Sequence, residues 1–285
     1  MGTIPPAGDP TGGIHDRGDR MEKIRLENVT FSYQQQGAAG PVVEDVSLTI
    51  REGEFVSFIG PSGCGKSTVL RLLSGLSRPT GGRILLNDRE IAGTGHERGV
   101  VFQHYALFPW MTARDNVIFG LQQCPGGMTR KNIAATADRY LDLVGLHDVG
   151  DKYPNQLSGG MQQRVTIARA FAMDTDILLM DEPFSAVDAR NRMKLQELLL
   201  ELWRKGLKKK TVVFVTHDVD EAILLSDRIV VLSACSRGIK EQIEVGLSRP
   251  RNWSLLANTA TYNALRNRLI GLLFTDLVEE TKLAI

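Results

Sequence analysis

The sequence predicts an α/β fold in which a largely parallel β-sheet is flanked by helices. Apolar runs of strand length, such as residues 55–59 and 176–180, alternate with segments whose apolar residues recur at helical spacing. A glycine-rich turn joins the run at 55–59 directly to the first of these helical segments. Alternation of this kind is typical of parallel sheets, because parallel neighbours need crossover connections that are usually helical.

The glycine-rich turn, residues 60–68, fits the phosphate-binding pattern G-x-x-x-x-G-K-[ST] in full. Its glycines leave room for backbone N–H groups to face inward, and the following helix N-terminus adds about half a positive charge. Lys66 is expected to reach the β- and γ-phosphates of ATP, and the Ser67 hydroxyl to bind Mg²⁺. The predicted ATP-binding loop consists of Gly60, Pro61, Ser62, Gly63, Cys64, Gly65, Lys66, Ser67 and Thr68.

Two strand patterns precede this loop, at residues 24–31 and 46–50, with a turn predicted at 34–40 between them. Tyr33 lies just before that turn. An aromatic ring upstream of a phosphate loop is suited to stacking on adenine, and the alternative is an ordinary core or rim aromatic.

The helix after the loop is predicted from Val69, Leu72, Leu73 and Leu76, which share one face. A short strand at 83–87 and an apolar segment at 100–102 follow. The latter ends at Gln103, whose amide is placed to point into a site, although the signal of one polar residue is weak.

The pattern becomes helical from residue 104 onward. Thr112 is expected to cap a helix that runs through Leu121. Two more helical faces follow, and we expect an inserted helical subdomain at about 104–160. The two faces consist of Ile133, Ala137, Tyr140, Leu141 and Val144, ending at Gly145, and of Met161, Val165, Ala168 and Ala172.

Two carboxylates end the next apolar strand, at Asp181 and Glu182. Parallel sheets deliver ligands to the carboxyl ends of their strands. Asp181 is therefore suited to holding Mg²⁺ and Glu182 to polarising an attacking water. The strand at 211–216 ends in the same way at His217, for which a purely structural role is the alternative.

The remainder of the chain predicts an amphipathic helix around 195–202, a solvated turn at Lys208–Lys210, and edge strands at 229–232 and 243–245. A terminal helix is expected from the spacing of Tyr262, Leu265, Leu269 and Leu272.

Composition excludes several classes of function. The formal net charge is only +1, so nothing indicates a nucleic-acid partner. No apolar run approaches the roughly 18 to 20 residues that span a bilayer, and any membrane role is expected to depend on a partner. Three cysteines without a C-x-x-C pair indicate neither a disulfide framework nor a zinc site. Cys64 is interpreted as a small space-filling residue rather than a reactive thiol.

The most specific segment is 157–164, Leu-Ser-Gly-Gly-Met-Gln-Gln-Arg, a small-residue turn that opens a helix and forms a second anion-binding helix N-terminus. It matches the signature motif of the ATP-binding cassette (ABC) ATPases, and the sequence resembles that family from about Tyr33 to about Glu244. The resemblance implies a P-loop NTPase (RecA-like) core with an antiparallel β subdomain and an inserted α-helical subdomain. The first 22 residues are rich in proline and glycine with few large apolar residues, so we expect a disordered extension (1–22). An ATPase domain (23–250) and a C-terminal helical tail (251–285) follow.

By the same resemblance, Tyr33 stacks on adenine and Gln103 senses Mg²⁺ and the attacking water. Asp181 binds Mg²⁺ with Ser67 and Gln103, Glu182 is the catalytic base, and His217 contacts the γ-phosphate. The implied catalytic set is Glu182, His217, Gln103 and Lys66.

The family arrangement also implies a head-to-tail dimer in which the signature segment of one copy closes on the nucleotide of the other. The D-loop runs from Ser185 to Asp188, with Val187 where the family more often has leucine. The signature residues expected to act in this way are Ser158, Gly159, Gly160 and Gln162.

A narrower resemblance lies in residues 102–112, which are similar to the ATPases of bacterial importers for nitrate, sulfonates and taurine. It implies a peripheral subunit at the cytoplasmic face of the cell membrane, bound to a permease and served indirectly by a solute-binding protein. Phe108 and Trp110 are interpreted as lining a groove for a permease helix, and core packing of the insertion is the alternative.

Two other functions remain as alternatives at this point. An ABC-type ATPase that acts on DNA or ribosomes is disfavoured because the chain has neither long coiled coils nor a basic patch. A regulatory ATP-binding module without catalysis is disfavoured by the intact set of Lys66, Asp181, Glu182 and His217.

Overall fold

The structure is a computed structural model that describes residues 21–33, 40–103, 106–124, 128–205, 209–256 and 259–283. The expected disordered extension, apart from its last two residues, lies outside this range, as do most of the turn predicted at 34–40 and both His104 and Tyr105. The strands are β1 (Glu22–Phe31), β2 (Val43–Arg51), β3 (Phe55–Ile59), β4 (Gly81–Leu86), β5 (Arg89–Glu90), β6 (Arg98–Val101), β7 (Ile177–Asp181), β8 (Thr211–Val215), β9 (Arg228–Leu232) and β10 (Ile239–Glu244). The α-helices are α1 (Lys66–Ser74), α2 (Ala113–Gln122), α3 (Arg130–Leu143), α4 (Gly159–Ala172), α5 (Ala189–Lys205), α6 (Val219–Leu225), α7 (Trp253–Leu256) and α8 (Ala260–Leu283), with a 3₁₀ turn at Pro154–Gln156.

The central sheet has the strand order β10-β9-β3-β8-β7-β6. Strands β9, β3, β8, β7 and β6 are parallel, and β10 is antiparallel at the edge. Strands β3, β8 and β9 are buried along their whole length, as a sheet covered on both faces requires. The expected edge position of residues 229–232 is therefore wrong, because β9 pairs with both β10 and β3. The edge position expected for 243–245 agrees with β10.

Alternate residues of the central strands enter two different cores. Val56, Phe58 and Leu179 face α1 and a second sheet, whose order is β2-β1-β4-β5 and whose pairs are all antiparallel. Phe55 and Phe214 face the helical side, where α4, α5, α6 and α8 contribute. The predicted fold class, a P-loop NTPase core with an antiparallel β subdomain and an inserted helical subdomain, is confirmed.

The inserted helices follow their sequence patterns closely. The Thr112 hydroxyl accepts a hydrogen bond from the Asp115 backbone N–H at 3.1 Å, and α2 begins at the next residue. In α3, the apolar stripe that includes Ile133, Ala137 and Leu141 is buried. Capping and periodicity therefore suffice to place α2 and α3.

Two smaller expectations are wrong. Leu76 is 48% exposed, since α1 ends at Ser74 and Gly75 turns the chain at φ +76°. The lysine turn is not solvated throughout, because the buried Lys210 ammonium donates to the Thr175 carbonyl at 2.6 Å. Lys209 lies over the Trp203 ring at 4.4 Å, and Lys208 is outside the described residues.

The C-terminal helix α8 packs on α6 and on the turn after β9. The Tyr262 hydroxyl donates to Asp220 at 2.7 Å, and the buried Asp276 carboxylate accepts from the Ala234 N–H at 2.9 Å and from the Ser233 hydroxyl. Across the described part of the chain, none of the helices has the length and apolar character to cross a membrane.

Candidate active site

The predicted site residues come together at one edge of the central sheet. The phosphate loop follows β3, Gln103 follows β6, Asp181 ends β7 and His217 follows β8. Because these four strands are parallel, their carboxyl ends open on the same side. Residues from four distant parts of the sequence therefore lie together in one site.

The phosphate loop depends on glycine at two positions. Gly65, the N-cap of α1, has φ +96°, a left-handed conformation that glycine adopts at little cost. A Cβ on Gly60 would lie 2.5 Å from the Leu232 carbonyl oxygen and 2.6 Å from the Cys64 sulfur. No side chain caps α1 through Gly65, so the first amides of the helix are directed towards the loop.

Lys66 lies within this loop, and its side chain is largely buried. The ammonium donates hydrogen bonds to the carbonyl oxygens of Gly60 and Pro61, both at 2.8 Å. Cys64 is 2% exposed and burial raises the pKa of its thiol, so its interpretation as a space-filling residue is confirmed.

The loop is linked directly to the carboxylate at the end of β7. The Ser67 hydroxyl donates to Asp181 Oδ1 at 3.0 Å. Burial raises the pKa of the Asp181 carboxyl and the neighbouring Glu182 adds to the rise, while the Ser67 hydrogen bond and Lys66 oppose it. A partly desolvated oxygen donor of this kind favours a nearby positive charge.

Glu182 and His217 form the second polar contact of the site. His217 Nδ1 lies 3.1 Å from Glu182 Oε2. The two atoms lie within hydrogen-bond distance, where an Nδ1–H donates and a carboxylate oxygen accepts. Glu182 also has φ +42°, and its backbone N–H donates to the Val215 carbonyl at 3.0 Å. Neither this backbone conformation nor the contact itself has a signal in the sequence.

Tyr33 and Gln103 border the site. Tyr33 is 46% exposed, its ring meets Phe31 edge-on at 4.9 Å, and its hydroxyl lies 3.4 Å from Thr68 Oγ1. It is therefore a rim aromatic beside the phosphate loop. Gln103 is exposed just beyond the end of β6.

The signature segment opens α4, as its sequence predicts. The Ser158 hydroxyl accepts from the Met161 N–H at 3.4 Å, and Gln162 donates to the carbonyls of Pro154 and Leu157 at 2.9 and 3.2 Å. Gly159 and Gly160 form its first turn. The D-loop follows β7: the Ser185 hydroxyl donates to the Glu182 carbonyl at 3.0 Å, and Asp188 accepts from the Asn191 N–H at 3.1 Å.

An aromatic patch, formed by Phe108, Trp110 and Phe119, lies on the helical subdomain. The Phe108 ring is 5.5 Å from that of Trp110 and 4.7 Å from that of Phe119, and Trp110 is 69% exposed. The fully buried Asn116 fixes this loop, since it accepts from the Phe108 N–H at 2.8 Å and donates to Met111 and Thr112 carbonyls. The sequence pattern predicted the helix that carries Asn116 but not this role of its side chain.

Comparison with known proteins places this site in a family. A family model described as ABC transporter matches residues 43–185. An uncharacterized ABC transporter ATP-binding protein of Methanocaldococcus jannaschii is 44% identical over 265 residues, which cover 93% of this chain and 96% of the relative. The bicarbonate transport ATP-binding protein CmpD of Synechocystis sp. is 42% identical over a match that covers 90% of this chain and 91% of the relative. The nitrate import ATP-binding protein NrtD of Synechococcus elongatus is 42% identical over a match that covers 82% of this chain and 86% of the relative.

Solved structures show the same architecture. A dimeric post-hydrolysis state of the ATP-binding cassette MJ0796, bound to ADP and Pi, has a TM-score of 0.69 and 33% identity, covering 79% of this chain and all of that chain. A second dimeric structure of MJ0796, described as a bacterial ABC transporter cassette, has a TM-score of 0.70 and 34% identity over the same shares. With the phosphate loop, the paired carboxylates and the signature helix in place, the chain belongs to the ABC transporter family and is one of its ATP-hydrolysing cassettes.

Proposed function

We propose that this cassette is the ATPase subunit of an importer that takes up nitrate, a sulfonate, taurine or a related small anion. The observation that carries the ATPase part of the proposal is the convergence of the phosphate loop, Asp181 and the Glu182–His217 pair at one sheet edge. Relatives named for nitrate import and bicarbonate transport support the solute class. The same names favour a transporter over an ATPase that acts on DNA or ribosomes.

ATP binding is assigned to residues 60–68 and Tyr33. The α1 N-terminus and loop amides attract the phosphates, and Lys66 exchanges its carbonyl partners for phosphate oxygens. The exposed ring of Tyr33, close to Thr68, is available to stack on adenine.

Magnesium fits the oxygen donors at the end of β7. Ser67 Oγ and Asp181 Oδ1 are already 3.0 Å apart. Burial raises the pKa of the Asp181 carboxyl, and a bound cation would stabilise its ionised form. Gln103, just beyond the end of β6, is assigned as a third oxygen donor. The described residues contain no cluster of three acidic, histidine or cysteine ligands, which agrees with an ion held mainly by phosphate and water. When bound, Mg²⁺ neutralises charge that develops on the phosphates.

Hydrolysis is assigned to Glu182, with His217 beside it. Glu182 accepts a proton from the attacking water as that water bonds to the γ-phosphorus and the bond to the leaving ADP oxygen breaks. The His217 N–H orients the carboxylate, and the His217 ring is assigned to contact the γ-phosphate. Glu182→Gln should retain ATP binding and lower turnover by about 10²- to 10⁴-fold. Normal turnover in this variant would remove Glu182 from the role.

The complete site requires a second copy of the chain. Ser158, Gly159, Gly160 and Gln162 of one copy are assigned to the nucleotide held by the other, in a head-to-tail homodimer. The dimeric MJ0796 structures support this arrangement. The Glu182→Gln variant should therefore sediment as a dimer with ATP and as a monomer without it. A monomer under both conditions would contradict the dimer.

The aromatic patch is assigned to a permease helix, which would place the cassette at the cytoplasmic face of the membrane. Trp110 is 69% exposed, and a partner helix would remove its apolar ring from water. Trp110→Ala should abolish co-purification with a permease from host membranes and leave ATP binding intact. Leu143→Ala is the matched control, because Leu143 is 46% exposed in the same subdomain. Loss of ATP binding together with co-purification would indicate core packing instead.

A further inference from the structure

His217 lies between two residues that are both tied to helix α5. Its own side chain is 62% exposed and contacts Glu182, so the position of the ring depends on the backbone at 216–218. Arg192 and Gln196 of α5 lie four residues apart and therefore project from the same face of the helix. Arg192 contacts Asp218, which follows His217, and Gln196 is linked through Glu221 to Thr216, which precedes it.

Arg192 connects the D-loop to the residue after His217. Its Nη2 donates to the Val187 carbonyl at 3.2 Å, and its Nη1 lies 3.6 Å from Asp218 Oδ2. Asp218 in turn caps α6, accepting from the backbone N–H groups of Asp220 and Glu221 at 2.9 and 3.1 Å. The planar guanidinium thus spans two segments that flank the catalytic contact.

Gln196 connects to the residue before His217 through Glu221. Gln196 Nε2 donates to Glu221 Oε1 at 2.7 Å, and the other oxygen of Glu221 accepts from the Thr216 hydroxyl. Gln196, Glu221 and Thr216 are 1%, 4% and 2% exposed. Gln196 Oε1 also accepts from Trp253 Nε1 at 3.1 Å, so this buried chain of hydrogen bonds reaches the C-terminal segment.

We infer that Arg192 and Gln196 are positioning residues for hydrolysis, which hold His217 against Glu182 and link that contact to the D-loop. The inference rests on the roles proposed above for Glu182 and His217. Neither residue is among those assigned to ATP. The hydrogen bonds of Gln196 are buried and hold their groups rigidly, whereas the Arg192–Asp218 ion pair joins side chains that are 31% and 33% exposed. An error of about 1 Å in a catalytic geometry costs about 100-fold in rate.

The link gives the D-loop a route to the catalytic base. In the proposed dimer, the D-loop belongs to the surface that meets the second copy. A displacement of the Val187 carbonyl is transmitted by Arg192 to Asp218, and so to the backbone that carries His217. Closure of the dimer would then also bring His217 into contact with Glu182.

The test compares Arg192→Met with Arg192→Lys and with the neighbouring Arg190→Met, an exposed control on the same helix. Arg192→Met should lower kcat by about 10- to 100-fold with KM for ATP changed less than about twofold. Arg192→Lys should be intermediate, since lysine keeps the charge but not the two-pronged geometry, and Arg190→Met should match the parent. An unchanged kcat in Arg192→Met would overturn the inference.

A double-mutant cycle separates positioning from a general structural effect. If Arg192 acts through His217, adding Arg192→Met to His217→Ala should cause no further loss of kcat, and multiplicative losses would contradict the inference. Gln196→Met provides the second cycle, and melting temperatures establish that each variant folds. If His217→Ala alone has normal kcat, the proposed role of His217 fails. If His217→Ala is slow and Arg192→Met is normal, only the coupling fails.

Discussion

Glu221→Gln should make the protein more stable at alkaline pH. The Glu221 carboxyl is 4% exposed, and burial raises its pKa from the ordinary 4.5 to about 7. The charge of Asp218 raises the pKa further, while hydrogen bonds from Thr216 and Gln196 and the charge of Arg192 lower it. A folded state that prefers the protonated form loses stability as pH rises from about 4.5 to 7.

The magnitude follows from the shift. Each pKa unit is worth about 1.4 kcal/mol, so ionisation of Glu221 costs the native state about 3 kcal/mol once the pH exceeds 7. Glutamine has the same shape, can accept from Gln196 and donate to Thr216, and does not ionise. The variant should therefore exceed the parent in unfolding free energy by about 3 kcal/mol at pH 8 and by about 1 kcal/mol or less at pH 5.

Urea unfolding at pH 5, 6, 7 and 8 measures this difference directly. Glu197→Gln is the control, since Glu197 is exposed on α5 and its replacement should give no comparable pH dependence. A difference between Glu221→Gln and the parent that is constant across this range would refute the reasoning, because it would mean that Glu221 does not change its protonation between these pH values.

Three further predictions concern buried groups. Gly60→Ala should prevent ATP binding and lower the melting temperature, since its Cβ would lie 2.5 Å from the Leu232 carbonyl oxygen; binding of a fluorescent ATP analogue and a thermal melt would show this, and normal binding would contradict it. Gln163→Met should raise the unfolding free energy by about 1 to 3 kcal/mol, because neither amide atom of the buried Gln163 has a hydrogen-bond partner in the described structure. Urea titration measures the unfolding free energy, and a lower value in the variant would contradict this reasoning. Cys64 should react with a disulfide reagent only after unfolding, because burial both shields the thiol and raises its pKa; rapid labelling of the native protein would disprove this.

Local patterns predicted the parts of the site that local chemistry determines. The phosphate loop needs glycines, a lysine and a hydroxyl within nine residues, and the paired carboxylates directly follow a buried strand. Helix caps such as Thr112 depend on neighbours three residues away. Features of this kind can be predicted from sequence because the interacting groups are close together in the chain.

Features that depend on distant pairing were missed. The position of β9 inside the sheet is set by β3 and β10, although its continuous apolar run could have indicated burial on both faces. Lys210 follows two other lysines and resembles a solvated residue, yet its ammonium is buried on the Thr175 carbonyl. One signal was present for Gln196, a polar residue next to Leu195 and Leu199 on the buried stripe of α5.

The network around Gln196 also reaches the C-terminal segment, which the sequence analysis expects to form a helical tail at 251–285. Arg251 donates to the Ile223 carbonyl at 3.0 Å, and Trp253 donates to Gln196 at 3.1 Å. Tyr262 donates to Asp220 at 2.7 Å. All three contacts are made to α6 or to the side chain that supports Glu221 on α6. Since α6 begins two residues after His217, these contacts join the C-terminal segment to the element next to the histidine that we propose to be catalytic.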